Sequence, residues 1–376
     1  MVKSTNFVVF GFWAVNALLS AQSVSQHQGR RFLVDGTHLL EQSRVDGAYA
    51  VIPGWPSLAG EMTGTGATTI CWDGALLYRL SFEDQLHAQV QCGFLSSPSP
   101  ERPQALWYWR PPVLIEGRMT LLGGWDGQAL VAQPLPKPDS EARATAAPTG
   151  WALSLVDLSD GQSREVFQQL VPNLPVLQSI MIEGDAYVFT STGTAIRVDC
   201  VTRHAEVITE DFWAEAGFDL CRDPGSVPNP RVMGRPFLDP EGAITLPVQP
   251  KVFLDEADIQ RAWSTLDESR RRELIEQGHW PPTPGRKIGW KDQAGFIRFS
   301  PEARTWRGVE ASRYAALVEW KDRHFMTLEF RPNIDDTTLF MWEKGAIVPF
   351  KVPEAPRRGQ PNPGAAPSRQ RPPSQP

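Results

Sequence analysis

Short runs of alternating apolar and polar residues recur along the chain, each followed by a polar turn and a second such run. The clearest copy is Ile196-Arg197-Val198-Asp199, a turn over residues 200–204, and a second run over 205–208. Alternation with a period of two predicts strands, and the short turn predicts a hairpin. Four variants of this first motif begin at Tyr78, Leu155, Ile297 and Phe340.

A second motif consists of an apolar triplet, an acidic turn and another apolar strand. It reads Ile180-Met181-Ile182, Glu183-Gly184 and then residues 186–189, and it recurs at 113–122, 237–246 and 316–328. Each copy precedes a copy of the first motif, so together they predict a four-stranded antiparallel sheet. Because tight turns favour acidic residues and glycine, we interpret these acids as turn residues: Glu116, Glu183, Asp239, Glu241 and Glu319.

Repeated four-stranded sheets resemble the blades of a β-propeller, in which radial packing buries faces that one sheet alone leaves exposed. The resemblance is to the fold in general and to no named family. The predicted fold class is therefore all-β, a β-propeller of four-stranded antiparallel blades over residues 26–352, with five blades favoured and six or seven possible. One way to close the ring is for the segment 26–42 to pair with the last blade.

The long insertions lie mostly between hairpins, at 93–106, 125–150, 209–230 and 250–293. In a propeller such connections share one end of the ring, and function usually resides on loops of this kind. The segment 54–67 is an exception, because it would lie inside a hairpin. The longest insertion predicts a helical segment over about 255–278, from apolar residues at helical spacing: Ile259, Ala262, Trp263, Leu266, Leu274 and Ile275.

The two ends of the chain differ from the repeats. Lys3, an apolar run over 7–19 and several small residues (Ser20, Ala21, Ser23 and Ser25) predict a signal peptide over 1–25. The apolar run is too short to favour the alternative, a membrane anchor. We therefore expect export to the periplasm or the medium, with no membrane span after cleavage. The Pro- and Arg-rich segment 353–376 predicts a disordered tail.

Charge and cysteine content narrow the function classes. The formal net charge of -6 argues against a nucleic-acid partner, which needs a concentrated basic face. Four cysteines in an exported protein predict two disulfides. Of the three possible pairings we favour Cys71 with Cys92 and Cys200 with Cys221, because the two pairs have the same spacing and each would tie a hairpin to the loop that follows it.

Tryptophan is unusually frequent, with 14 in the chain. Several lie in or beside the predicted inter-hairpin connections, and flat aromatic faces suit sugar rings and apolar ligands. The alternative is that these rings fill the wedges between blades. The candidate ligand-binding residues are Trp107, Trp109, Trp125, Trp213 and Trp280.

Signatures of serine hydrolases, zinc proteases, P-loop proteins and EF-hands are absent from the sequence. Asp335 and Asp336 are candidates for catalysis or calcium binding, and His279 is a candidate for proton transfer. The sequence favours a binding module or interaction scaffold without a cofactor other than calcium, whose ligand, a protein or a polysaccharide, binds on the face that carries the long inter-hairpin loops. The alternative is a propeller-type hydrolase or lyase acting on a glycan or lactone.

Overall fold

The structure is a computed structural model. It describes residues 23–34, 39–42, 49–52, 69–82, 87–96, 107–135, 150–171, 175–218, 232–239, 241–249, 251–253, 264, 266–276, 289–292, 295–310, 317–320, 323–327, 339–343 and 346–350. Nearly all of these residues lie in antiparallel β-sheets, which confirms the all-β prediction.

The N-terminal half forms four units of four or five strands. The first unit contains β1 (Ser23–His27), β2 (Arg30–Val34), β3 (Leu39–Gln42) and β4 (Tyr49–Val51). The second contains β5 (Thr69–Trp72), β6 (Leu77–Phe82), β7 (His87–Leu95), β8 (Trp107–Trp109) and β9 (Val113–Glu116). The third contains β10 (Thr120–Trp125), β11 (Gln128–Leu135), β12 (Gly150–Asp157) and β13 (Ser163–Leu170), and the fourth β14 (Leu177–Ile182), β15 (Asp185–Thr190), β16 (Ala195–Asp199) and β17 (His204–Thr209).

Two further units and a hairpin follow. The fifth unit contains β18 (Val232–Met233), β19 (Phe237–Leu238), β20 (Ile244–Gln249), β23 (Gly295–Ser300) and β24 (Thr305–Glu310). The sixth contains β21 (Lys251–Phe253), β22 (Gly289–Asp292), β25 (Leu317–Trp320) and β26 (Arg323–Thr327), and a separate hairpin contains β27 (Leu339–Glu343) and β28 (Ala346–Phe350). The helices in the described ranges are the single turn α1 (Phe212–Glu215) and α2 (Glu268–Glu276).

The predicted hairpins are mostly confirmed. All five copies of the first motif form antiparallel pairs: β6 with β7, β12 with β13, β16 with β17, β23 with β24, and β27 with β28. Three copies of the second motif do so as well: β14 with β15, β19 with β20, and β25 with β26. Within the predicted helical segment 255–278, residues 268–276 form α2, which Asp267 caps by accepting a hydrogen bond from the Arg270 backbone N–H. Residues 255–263, 265 and 277–278 lie outside the described residues.

One copy of the second motif was predicted wrongly. Residues 113–122 do not form a hairpin, because β9 pairs with β7 in the second unit whereas β10 begins the third. The two-residue turn of the third unit is instead Asp126-Gly127. The long insertion expected at 125–150 is correspondingly shorter, since β11 occupies much of it and leaves 136–149 as the connection.

The predicted division into blades also differs at both ends of the chain. Strand β4 pairs with β3 and completes the first unit, and it forms no hairpin with β5, the strand that contains Cys71. The segment 53–68 therefore connects two units and does not lie inside a hairpin. The first unit pairs with the fourth, through β1 and β14, instead of with the last hairpin. Hairpin β25–β26 pairs with β22, and β27–β28 forms a sheet of its own.

Tight turns gather at one end of the first four units, which we call the turn end. Gln28-Gly29, Asp126-Gly127 and Glu183-Gly184 have positive φ at both residues, the geometry that suits two-residue hairpins. Strands β11 and β17 end at the opposite end, which we call the loop end, so the connections after them, 136–149 and 210–231, leave from there. The long insertion expected at 250–293 is not a single loop, because it contains β21 and β22 of the sixth unit. The connection 97–106 leaves instead from the turn end, because β7 runs towards it, and this corrects the expectation that all long connections share one end.

Apolar clusters lie between successive units. Phe32 and Val34 pack with Trp72 and Leu77 between the first and second units. Other clusters join the second unit to the third, the third to the fourth, and the fourth to both the fifth and the first. The first strands β1, β5, β10 and β14 contact one another in a closed cycle, so these four units surround a common centre.

Candidate binding surface

The predicted residues Trp107 and Trp109 lie on β8, which pairs with the end of β7. The paired residues are Gly93 with Trp109, Phe94 with Tyr108, and Leu95 with Trp107. Strand β6 starts at Leu77 opposite Gly93, so the last residues of β7 extend past it towards the turn end. We call residues 93–95 and 107–109 the aromatic ribbon.

One face of the ribbon carries both tryptophans. Their ring centroids are 6.2 Å apart, and the edge of Trp107 also meets Trp72, with centroids 6.3 Å apart. The Arg79 guanidinium lies over the Trp109 ring, 4.0 Å from its centroid, and Arg79 Nε donates to Gln91 Oε1 at 2.8 Å. Both tryptophans are half-buried, so packing accounts for much of their surface.

The other face of the ribbon carries Phe94 and Tyr108, because successive side chains on a strand point to opposite faces. The two rings stack with centroids 5.7 Å apart and planes 19° apart. Phe94 is 45% exposed and Tyr108 is 40% exposed, which makes this pair the most accessible aromatic surface among the described residues. Sequence reasoning missed both residues, although the alternation Trp-Tyr-Trp already requires Tyr108 to face away from its neighbours.

The other predicted tryptophans lie elsewhere. Trp125 ends β10 at the turn end, half-buried, with its ring centroid 5.1 Å from that of His27. Trp213 belongs to α1 and is fully buried among Phe212 and Phe218, so it has no accessible face in this structure. Trp280, His279, Asp335 and Asp336 lie outside the described residues.

A buried polar network joins the turns of the second and third units. Asp73 Oδ1 accepts from the Ala75 and Leu76 backbone N–H groups at 2.8 and 2.6 Å. Asp73 Oδ2 accepts from the Tyr78 hydroxyl at 2.7 Å and from the Asp126 N–H at 3.0 Å. The Tyr78 oxygen accepts from the Gly127 N–H at 2.8 Å. Burial, and then the neighbouring Asp73 charge, raise the pKa of Tyr78, so the phenol stays protonated and serves as a structural donor.

The predicted disulfides are not formed. Cys71, Cys92 and Cys200 are free, buried thiols, and Cys221 lies outside the described residues. Tyr78 pairs with both Cys71 and Cys92, so a whole strand separates the two cysteines. Two strand spacings amount to about 10 Å, whereas a disulfide needs Cα atoms within about 7 Å. Burial raises the pKa of Cys200 to about 12.

Two further observations concern metals and membranes. Within the described ranges, no group of three or more His, Cys, Asp or Glu side chains is arranged to hold a metal ion. No helix there combines the length and hydropathy that crossing a membrane requires.

Comparison with known proteins gives only distant likenesses. No family model matches the chain, and no curated protein is recognisably related in sequence. Among solved structures, a glutaminyl cyclase from Myxococcus xanthus is 14% identical, with a TM-score of 0.30 over 61% of this chain and 86% of that one. A tricorn protease is 10% identical, with a TM-score of 0.25 over 80% of this chain, which spans only 26% of the protease. At this distance the likenesses carry no argument about activity, and the resemblance stays at the level of fold, without a named family, as the sequence indicated.

Proposed function

We propose that the chain is an exported β-propeller-type binding module that holds a polysaccharide on the exposed aromatic face of the ribbon. The propeller arrangement is supported by the four-stranded antiparallel units and by the closed cycle of their first strands. The ligand site is supported by one observation, the exposed stacked pair of Phe94 and Tyr108 on a ribbon that extends past the sheet.

A sugar ring fits this pair better than a protein surface does. A sugar has an apolar C–H face and a rim of hydroxyls, and Tyr108 offers both a flat ring and a polar group. A stable protein interface covers about 800 Å² on each partner. Two rings cover far less, and the other exposed large apolar side chains lie apart on other strands, turns or helices: Leu114, Leu170, Val201, Val207 and Ile275.

The test replaces Phe94 and Tyr108 with Ala, singly and together, in the full chain. Affinity is measured by calorimetry for a polysaccharide first selected by thermal shift from a soluble panel. Because truncating a central binding residue costs about 2 kcal/mol or more, we expect affinity to fall at least about 30-fold, with little change in melting temperature.

The matched control is Leu170→Ala, which removes an exposed apolar side chain from the outer strand β13, 75% exposed. It should leave the affinity unchanged. Equal affinity of the wild type and the double variant would disprove the site. Recovery of one constant protein partner that the double variant loses, with no polysaccharide bound, would replace the polysaccharide with a protein ligand.

A further inference from the structure

The first and fourth units form one continuous eight-stranded sheet, and their joint is short. Strands β1 and β14 run parallel and pair at Ser25 with Met181 and at Gln26 with Ile182. The Glu183 backbone N–H donates to the Gln26 carbonyl at 3.0 Å and ends the joint. In the part of the chain that the structure describes, this is the one place where two units are joined by strand pairing.

A carboxylate holds the end of this joint. Glu183 Oε2 accepts from the Gln28 N–H at 2.9 Å, and Oε1 accepts from the Gly29 N–H at 2.8 Å. Both residues have positive φ, 50° for Gln28 and 66° for Gly29, which turns their N–H groups towards the same acceptor. The Gln26 side-chain amide adds a longer contact to Oε1 at 3.4 Å. The turn of the fourth unit thus holds the turn of the first through two charge-assisted hydrogen bonds.

A carboxylate that accepts a hydrogen bond from a backbone N–H also joins the second unit to the third, but this carboxylate is buried. There Asp73 accepts from the Asp126 N–H, but Asp73 is only 4% exposed and Tyr78 covers it. The bonds of Glu183 are exposed to solvent. A proton therefore reaches Glu183 directly, while Asp73 is shielded.

We propose that the Glu183 carboxylate keeps this joint closed. Loss of its charge releases the β1–β2 hairpin from β14, while the joint at Asp73 stays closed. Opening exposes the apolar side of the first unit, because Val24 and Leu33 pack in one cluster with Ile180 and Phe189 of the fourth.

The direction of the pH dependence follows from the groups around the carboxylate. Burial works against ionisation of Glu183, but the Gly29 and Gln28 N–H groups, the Gln26 amide and the charge of His27 outweigh it and lower the pKa of Glu183 below its ordinary value of 4.5. Other charged groups around the carboxylate are Arg31 and an ion pair in the fourth unit. Arg31 Nε donates to Gln26 Oε1 at 3.4 Å, and Arg197 pairs with Asp185. A lowered folded-state pKa stabilises the joint above the ordinary carboxyl value, and this stabilisation is lost as the pH falls through the lowered value.

The test compares Glu183→Gln with the wild type in the full chain by hydrogen exchange at pH 7. Loss of charge-assisted bonds predicts exchange over 24–34 that is faster by a factor on the order of 10 to 100, while β5 and β6 exchange as before. Asp160→Asn is the matched control, because this exposed turn acid accepts from the Gln162 N–H of its own turn. Unchanged protection of 24–34, or an equal loss in β5 and β6, would overturn the proposal.

Two further measurements keep the test decisive if Glu183→Gln folds poorly. Wild-type protein should keep its protection over 24–34 above pH 4.5 and lose it selectively as the pH falls below that value, after correction for intrinsic exchange rates. Gln26→Cys with Ile182→Cys places two thiols at paired positions of neighbouring strands, within reach of a disulfide. Oxidation of this pair, with Glu183 intact, should preserve the protection of 24–34 at low pH, and loss of protection despite the disulfide would contradict a joint that opens between β1 and β14.

Discussion

At the scale of single residues, Tyr78 shows how one buried polar side chain connects two units. Its hydroxyl donates to Asp73 and accepts from the Gly127 N–H, so one oxygen satisfies groups on two different turns. The sequence placed Tyr78 on a strand and indicated nothing more, because alternation shows which face a residue occupies and not what it meets there. The hydrogen bond from Gly127 comes from a turn nearly fifty positions further along the chain.

We predict that Tyr78→Phe destabilises the fold by about 2–3 kcal/mol, because it leaves the buried Gly127 N–H without its acceptor and removes a donor from a buried carboxylate. Urea unfolding followed by tryptophan fluorescence measures the change. The control is Val201→Ala, which truncates a side chain that is 69% exposed and should matter by less than about 0.5 kcal/mol. Equal effects of the two substitutions would contradict the network.

At the scale of elements, β10 shows why part of the third unit escaped sequence reasoning. Its sequence Thr-Leu-Leu-Gly-Gly-Trp does not alternate, and a register shift between Leu121 and Gly123 breaks the period of two. Both glycines allow close approach. A Cβ on Gly123 would lie 2.5 Å from the Met181 sulfur, and one on Gly124 would lie 2.5 Å from the Tyr78 ring. A glycine pair in a sequence is typical of a turn. Here the absence of side chains instead lets β10 approach Tyr78 of the second unit and Met181 of the fourth.

Gly124→Ala should therefore destabilise the protein more than Gly123→Ala. The Tyr78 ring is fully buried and hydrogen-bonded, so it cannot move aside, and we expect a cost of about 1–3 kcal/mol from overpacking. The Met181 thioether is flexible and can adjust, so Gly123→Ala serves as the matched control with a smaller cost. Urea midpoints of the two variants decide the order, and the reverse order would show that β10 does not approach Tyr78 as described.

At the scale of the whole molecule, equivalent residues link successive units. Arg203 and Arg304 occupy the same position in two copies of the first motif, both with positive φ. Each reaches back to the preceding unit: Arg203 to Asp157 at 3.2 Å and Arg304 to Glu206 at 2.8 Å. Such exposed pairs contribute little stability, but both connect a unit to the one before it in the chain.

The joint of the first and fourth units also bears on the predicted export. Strand β1 begins at Ser23, inside the segment assigned to the signal peptide, and Val24 and Ser25 are only 7% and 3% exposed. Cleavage after Ser25 would remove them from between β2 and β14. We predict that the exported protein begins no later than Val24, and intact-mass measurement of the secreted or periplasmic product checks this. A product that begins at Gln26 would contradict the role given to β1.

The sequence by itself determined the local structure: the all-β class, eight of the nine predicted hairpins, the helix that follows Asp267 and the two-residue turn Glu183-Gly184. These features depend on neighbours a few positions apart, so period and turn chemistry suffice to predict them. The grouping of strands into units, the free cysteines, the exposed pair of Phe94 and Tyr108, and the pairing of β1 with β14 were decided by tertiary structure. Each of these features depends on which distant segments of the chain come into contact, and packing between the sheets determines those contacts. Alternation along one strand does not predict them, because the same alternation suits many possible partner strands.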